Sequence, residues 1–276
     1  MATATATRKQ ASPEEIAEIW KEFKADPSNK ALRNRLIEQY LLSEGLPQVG
    51  LLRHPTSQTG VALILVDREG RNMIAVAPGS NYTLTLEEIH RMSPYMTEGD
   101  VLLLQLETPL PIVTEALALA KARGTFTILN PAPARQLSSE VLKLVDVLTP
   151  NEGEARAMTG LRPDAAARAL LEHGARSVVV TLGERGALLA TRTTTRLFKA
   201  FPVTPVDSTA AGDAFNGVLA CRLAEGQPLE DAVRFANAAG ALATTRRGAQ
   251  DALPCRRDIE LLVSDDSSFL LRSNGI

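Results

Sequence analysis

Apolar residues along this chain follow two rhythms. From Ser12 to Leu42 they recur at helical spacing. Ile16, Ile19, Trp20 and Phe23 form one set, and Leu32, Leu36, Ile37 and Tyr40 a second, with Asp26-Pro27-Ser28 between them. Ser12-Pro13-Glu14-Glu15 opens the first set. Ser12 can cap free backbone N–H groups, Pro13 suits the first helical position, and Glu15 completes a capping box. The pattern predicts helices over Glu14–Phe23 and Ala31–Leu42, closed by Gly45. Two short helices with one apolar stripe each bury little alone. Trp20, Phe23, Leu36 and Tyr40 are therefore expected to dock on another surface of the chain or to join another chain, unless the pair protrudes as an appendage.

From Leu46 onward the rhythm becomes strand and helix in alternation. Val61–Val66 and Met73–Ala77 are β-like, with polar Asp67–Asn72 as the turn between them. Val101–Leu106, Phe126–Leu129, Val145–Leu148 and Val178–Leu182 are short apolar runs of the kind found in buried parallel strands. Helical stretches at Ile112–Ala122, Ser138–Leu144 and Ala165–His173 separate them, the last with Asp164 as expected N-cap and Gly174 as C-cap. Ala187–Ala190 and Arg196–Ala200 read as a strand pair. Two alanine-rich helices follow, near Asp213–Ala224 and Leu229–Thr245. The expected fold is an α/β doubly wound, mostly parallel sheet with helices on both faces, over residues 43–264. Residues 1–42 form a separate helical segment, and 265–276 a tail.

Composition narrows the function. Lys and Arg number 30 against 32 Asp and Glu. Without a basic excess, a nucleic-acid partner is not expected. Cys221 and Cys255 are too few for a disulfide scaffold, and no Cys/His cluster suggests zinc. His54, His90 and His173 are scattered. The longest aliphatic run, Val61–Val66, is far short of a membrane span, and Met1–Gln10 has no apolar core of a secretory signal. A cytoplasmic protein without a membrane partner is expected.

Candidate chemistry concentrates after the predicted strands. Val206-Asp207-Ser208-Thr209-Ala210-Ala211-Gly212-Asp213 runs straight into an apolar helix. Small residues let a ligand approach the backbone, and the free N–H groups of a helix start make an anion site. Asp213 beside such a site makes sense as the acceptor of a proton from a hydroxyl that attacks a phosphoryl group; the alternative is a simple helix cap. Thr181-Leu182-Gly183-Glu184-Arg185-Gly186 is either a nucleotide-contacting turn or an ordinary β-turn. Asn151 and Glu154 share one face of a helix start, and could hold a hydrated Mg²⁺ or orient phosphates, or could cap the helix. Glu107 lies just past a strand, where open α/β sheets bind ligands, or is a solvated loop residue.

In order, these segments resemble the PfkB family of carbohydrate kinases, and within it most closely the ribokinases. The resemblance runs from about Leu42 to about Leu262. It includes Thr59–Ile64, Pro78-Gly79-Ser80-Asn81, Gln105-Leu106-Glu107, Asn130-Pro131-Ala132-Pro133-Ala134, Thr149-Pro150-Asn151-Glu152, Thr181-Leu182-Gly183, Ala210–Gly217 and Thr245–Gln250. It implies transfer of the ATP γ-phosphate to the 5-hydroxyl of ribose, with Asp213 as catalytic base and the N–H groups of Ala210, Ala211, Gly212 and Asp213 as anion hole. Asn151, Thr181, Leu182, Gly183, Glu184, Arg185, Gly186, Gly212, Asp213 and Asn237 would bind nucleotide. Glu107 and Asp213 would meet the sugar, and Glu154 would act through Mg²⁺ and its water. Asp207, Thr209, Ala243, Arg246 and Gly248 would match the site of K⁺, with Ala252 standing where the family offers a hydroxyl. Family homodimers form through the lid.

The front of the chain departs from the family. The first strand with its Asn and Asp sugar contacts, and the Gly-Gly-Lys-Gly-Ala-Asn motif, have no counterpart here. Instead Glu14–Leu41 resembles the opening of flagellar/sporulation-type bacterial sigma factors. A joined or rearranged reading frame near Leu41–Ser43 is the expectation. A chain without the sugar clamp has a second reading: a remnant that hydrolyses ATP weakly or is not catalytic, or another sugar kinase of the family.

Overall fold

The computed structural model describes residues 12–25, 30–46, 51–66 and 72–265. The chain separates into two compact units, Met1–Gln58 and Thr59–Ile276.

The first unit holds α1 (Pro13–Ala25) and α2 (Lys30–Ser43). The expected capping box forms. The Ser12 N–H donates to Glu15 Oε2 at 2.7 Å, and the Glu15 N–H to Ser12 Oγ at 3.2 Å. Ile19 and Leu36 are buried, and Arg53 pairs with Glu38. The side chains of Trp20 and Phe23 lie outside the described residues, as do the expected turn over 67–71 and the tail over 266–276.

The second unit begins with an antiparallel ribbon, β1 (Thr59–Val66) and β2 (Asn72–Gly79), in the register Leu63↔Ala75. A six-stranded sheet follows in the order β3 (Val101–Leu104), β4 (Phe126–Leu129), β5 (Val147–Leu148), β6 (Ser177–Thr181), β7 (Ala187–Ala190) and β8 (Thr195–Phe198). β3 to β6 are parallel; β7 and β8 continue as an antiparallel meander. Crossovers α4 (Leu110–Ala122), α5 (Ser139–Leu142), α6 (Glu152–Thr159) and α7 (Pro163–Glu172) connect the parallel strands.

Alternation along each strand explains the two-sided core. Leu129, Leu148, Val178 and Val180 pack with Val113 and Leu117 of α4 and Leu170 of α7. Their neighbours Ile128, Val147 and Val179 pack with Phe215 and Leu219 of α8 (Ala211–Ala224) and Val233 of α9 (Leu229–Ala243). Successive side chains point to opposite faces, so a strand buried on both sides must be apolar throughout. The expected cover on both faces is present, by a particular route. Strand order does not reverse among the described residues; α8 and α9 cover the second face after the sheet is complete.

Two local expectations change. The N-cap of α7 is Arg162, not Asp164, because Pro163 takes the first helical position, where its missing N–H costs nothing. Its C-cap is His173, and Gly174 follows with φ of 131°. Helix α3 (Leu86–Met92) was not expected. It starts on a Thr85–Glu88 capping box, which an apolar-period reading passes over because none of its residues is buried.

Candidate active site

The loop before α8 is held at several points. The Val206 and Asp207 N–H groups donate to the Thr244 carbonyl at 2.7 and 3.1 Å, pinning the loop to the end of α9. Asp207 is buried, and its carboxylate clasps two segments. Oδ1 accepts from the Thr209 N–H at 2.9 Å and Oδ2 from the Gly248 N–H at 3.0 Å. The nearby Thr209 hydroxyl, the Gly248 and Thr209 N–H groups and the Arg247 charge hold its carboxyl below the usual range. Thr209 Oγ1 is itself buried and completes no hydrogen bond of normal geometry.

Ala210 has φ of 60°, the one positive φ at a non-glycine among the described residues. A residue with a Cβ pays about 1–2 kcal/mol for that conformation. It turns the chain so that α8 begins at Ala211. The Ala211 N–H reaches Ser208 O at 3.3 Å and the Ala214 N–H reaches Ala210 O at 2.8 Å. Between them, Gly212 and Asp213 present their N–H groups as a helix start does. No side chain caps α8, so exposed Asp213 is not used as a cap.

The Thr181–Gly186 segment closes the β6–β7 hairpin at the same edge. The Leu182 N–H donates to Gly186 O at 2.8 Å. Gly186 has φ of 97°, and a Cβ there would lie 1.9 Å from Phe198 O, so only glycine fits. Arg185 pairs with Glu152. Asn237 on α9 is buried, and its amide donates to the Lys199 carbonyl at 2.7 Å, holding the end of β8. Gly240, on the same helix, faces Ala211; a Cβ there would sit 3.3 Å from Ala211 O. Helix α9 thus backs both the end of β8 and the start of α8.

Asn151 bridges to Thr181 in parallel fashion, with the Thr181 N–H on Pro150 O at 3.0 Å. It also caps α6: the Glu154 N–H donates to Asn151 Oδ1 at 2.8 Å, and the Asn151 N–H to Glu154 Oε2 at 2.7 Å. Burial pushes the Glu154 carboxyl up, against the lowering pull of the Asn151 N–H. Glu107 is exposed, one residue past Leu106, whose N–H donates to Ala132 O at 3.0 Å. Arg246 faces Asp258 at 3.8 Å, and Ala243 is buried. No group of three or more His, Cys, Asp or Glu suited to a metal ion occurs among the described residues.

Three polar residues joined to this site lie in segments quoted above but carry no role from sequence. Asn130 Nδ2 donates to the Thr149 carbonyl at 2.8 Å, and the Thr149 hydroxyl to Asn216 Oδ1 at 2.6 Å. Asn216 Nδ2 donates to the Gly212 carbonyl at 2.9 Å. The sequence signal is a polar residue immediately after a fully buried apolar pair, as in Ile128-Leu129-Asn130 and Val147-Leu148-Thr149. This relay sets the start of α8 at the carboxyl ends of β4 and β5.

Residues 33–256 match the model of the pfkB family of carbohydrate kinases. The chain belongs to this family. It is 35% identical over 240 residues to a ribokinase of Haemophilus influenzae, covering 85% of this chain and 77% of that one. Among solved structures, a ribokinase from Thermotoga maritima superposes with a TM-score of 0.72 at 37% identity, over 83% of this chain and 78% of that one. An Arabidopsis thaliana ribokinase complexed with ribose and ATP gives a TM-score of 0.67 at 27% identity, over 75% and 70% of the two chains. The ribokinase-like α/β fold of the second unit is the fold of these carbohydrate kinases.

Proposed function

We propose that the protein is a ribokinase-like sugar kinase that transfers the γ-phosphoryl group of ATP to the 5-hydroxyl of D-ribose. One observation carries the reading: the left-handed turn at Ala210 leaves Asp213, free of any capping role, beside the N–H groups of a helix start at the carboxyl edge of the sheet. The Asp213 carboxylate accepts the proton as the sugar oxygen attacks phosphorus and the bond from phosphorus to the β,γ-bridging oxygen breaks, releasing ADP. The Gly212 and Asp213 N–H groups stabilise the charge on the transferring phosphoryl oxygens. The Thr181–Gly186 hairpin and Asn151 line the nucleotide side, and Asn237 acts on it through Lys199. Glu107 lies on the sugar side.

The residues present fit both metals that the family resemblance implies. The buried Thr209 Oγ1, close to the ionised Asp207 but without a hydrogen bond of normal geometry, suits a monovalent cation such as K⁺, with Ala243, Arg246 and Gly248 contributing from the neighbouring segment. Glu154, whose burial disfavours its charge, suits a hydrated divalent cation such as Mg²⁺. When bound, the two ions neutralise phosphate charge and order the loop.

A cytoplasmic location fits this substrate pair, and among the described residues no helix is long and apolar enough to cross a membrane. The β1–β2 ribbon suits pairing of two copies through the lid. The test is ribose-dependent ADP release with Mg²⁺ and K⁺. Asp213→Asn is expected to lose about 10²–10⁴-fold in turnover while binding ATP normally, since the anion hole is backbone. Full turnover in the variant excludes Asp213 as base. ADP release that ignores ribose in the unaltered chain favours weak ATP hydrolysis instead.

A further inference from the structure

Asn216 is buried on α8, four residues past Gly212, and both ends of its amide are engaged. The Gly212 oxygen can only accept, so the amide nitrogen has to face it. The amide oxygen then takes the Thr149 hydroxyl, which also lies 3.4 Å from Leu129 O. A helix-interior Asn that merely satisfied itself would need only the bond to the carbonyl one turn back. Here the far end is anchored at the carboxyl end of β5, next to the Pro150–Asn151 segment.

The Gly212 carbonyl and the Asp213 N–H belong to one planar peptide unit. A donor on that carbonyl draws charge toward its oxygen and strengthens the N–H at the other end. The same bond, fixed to the sheet through Thr149, stops the peptide from tilting.

We propose that Asn216 is a positioning residue for phosphoryl transfer, holding and polarising the 212–213 peptide so that the Asp213 N–H and carboxylate both meet the reacting groups. Thr149 is its anchor, and Asn130 fixes Thr149. The proposal rests on the kinase reading above. It assigns to this buried relay a role in the chemical step rather than in substrate capture.

Asn216→Asp tests it, because the shape is kept. Ionised, the new carboxylate opposes the Gly212 carbonyl; protonated, it restores a donor. At about pH 8 the variant is expected to lose about tenfold or more in kcat, the worth of one hydrogen bond in the transition state, with KM for ribose unchanged. The deficit should shrink toward about pH 6, as a buried carboxyl with a raised pKa takes up its proton. Affinity for ADP with aluminium fluoride, which stands in for the transferring phosphoryl group, should fall in step with kcat, while affinity for ADP alone holds.

Thr149→Ser should retain turnover and Thr149→Val should lose it, and this pair carries the test if the Asp variant does not fold. Unchanged kcat in folded Asn216→Asp, or equal losses for ADP and its fluoride complex, would overturn the proposal. An unaltered chain with no ribose-dependent turnover removes the kinase reading itself. An active unaltered chain with an equally active variant removes only the role of Asn216.

Discussion

At the scale of single residues, backbone conformation and buried charge dominate. Gly186 is required twice over, by its positive φ and by the Phe198 carbonyl and Ala200 nitrogen that a Cβ would meet at 1.9 and 2.6 Å. Gly186→Ala should destabilise the protein by about 1–3 kcal/mol or more and weaken ATP binding, read by thermal unfolding with and without ATP. Asp146 is the buried counterpart at the other end of the strands. It accepts from the Thr127 N–H and hydroxyl, each at 3.0 Å, and from Lys121 at 2.8 Å. Burial pushes its carboxyl up, and the Lys121 and Thr127 bonds together outweigh that and lower it. The Thr127 hydroxyl keeps the Leu144 carbonyl at 2.7 Å, so Asp146→Ala strands the Thr127 N–H and leaves Lys121 without its partner; it should cost about 1–3 kcal/mol in a denaturant titration, while kcat stays unchanged.

At the scale of elements, the α8–α9 contact decides where the loop before α8 sits. Alanine-rich faces let the two helices approach closely, and Gly240 lies against the Ala211 carbonyl. Gly240→Val adds bulk at 3.3 Å from that oxygen and should displace the start of α8. The expected result is a loss of kcat larger than the loss of stability; equal turnover in the variant shows that the loop tolerates the shift. Earlier in the chain, α7 shows how one residue can mislead an element boundary. Asp164 is a good capping type, but Pro163 already defines the first turn, and the cap moves to Arg162.

At the scale of the whole molecule, two features set behaviour in solution. The β1–β2 ribbon exposes Val61, Leu63 and Leu65 at 53%, 62% and 59%. Such an apolar two-stranded edge is a pairing surface. Leu63→Lys is expected to shift a dimer to monomer in sedimentation; a monomeric unaltered chain ends the idea of pairing through the lid. The second feature is acid stability. Asp146 and Asp207 both have lowered pKa values in the folded state. Their contribution is complete above about pH 4, the ordinary aspartate range, and is lost as pH falls through the folded values. Glu154, raised by burial, runs the other way: its contribution is present below the ordinary glutamate range and is lost as pH rises through its folded value. Unfolding midpoints measured downward from about pH 5 should therefore fall steeply, and less steeply in Asp146→Asn.

The strands of the main sheet and the helices between them are legible in the chain's pattern; α3 is not, because it buries no residue. The run Val101–Leu104 marks a strand because a strand covered on both faces is apolar at successive positions. The segment from Asp207 to Asp213 suggests an anion site because small residues before an apolar helix leave free N–H groups at its start. Tertiary structure decided which alternatives those residues adopt. Asp213 and Asn151 are both acceptable helix caps by spacing; Asn151 caps, whereas the left-handed turn at Ala210 keeps Asp213 away from that task. Asn237, placed at the nucleotide by the family resemblance alone, has its amide on the Lys199 carbonyl, a contact that local pattern does not contain. The relay from Asn130 through Thr149 to Asn216 joins residues up to 67 positions apart, as between Thr149 and Asn216. Local periodicity carries no record of such pairs. They exist only because parallel strands bring their carboxyl ends, and the helix that follows the sheet, to one edge.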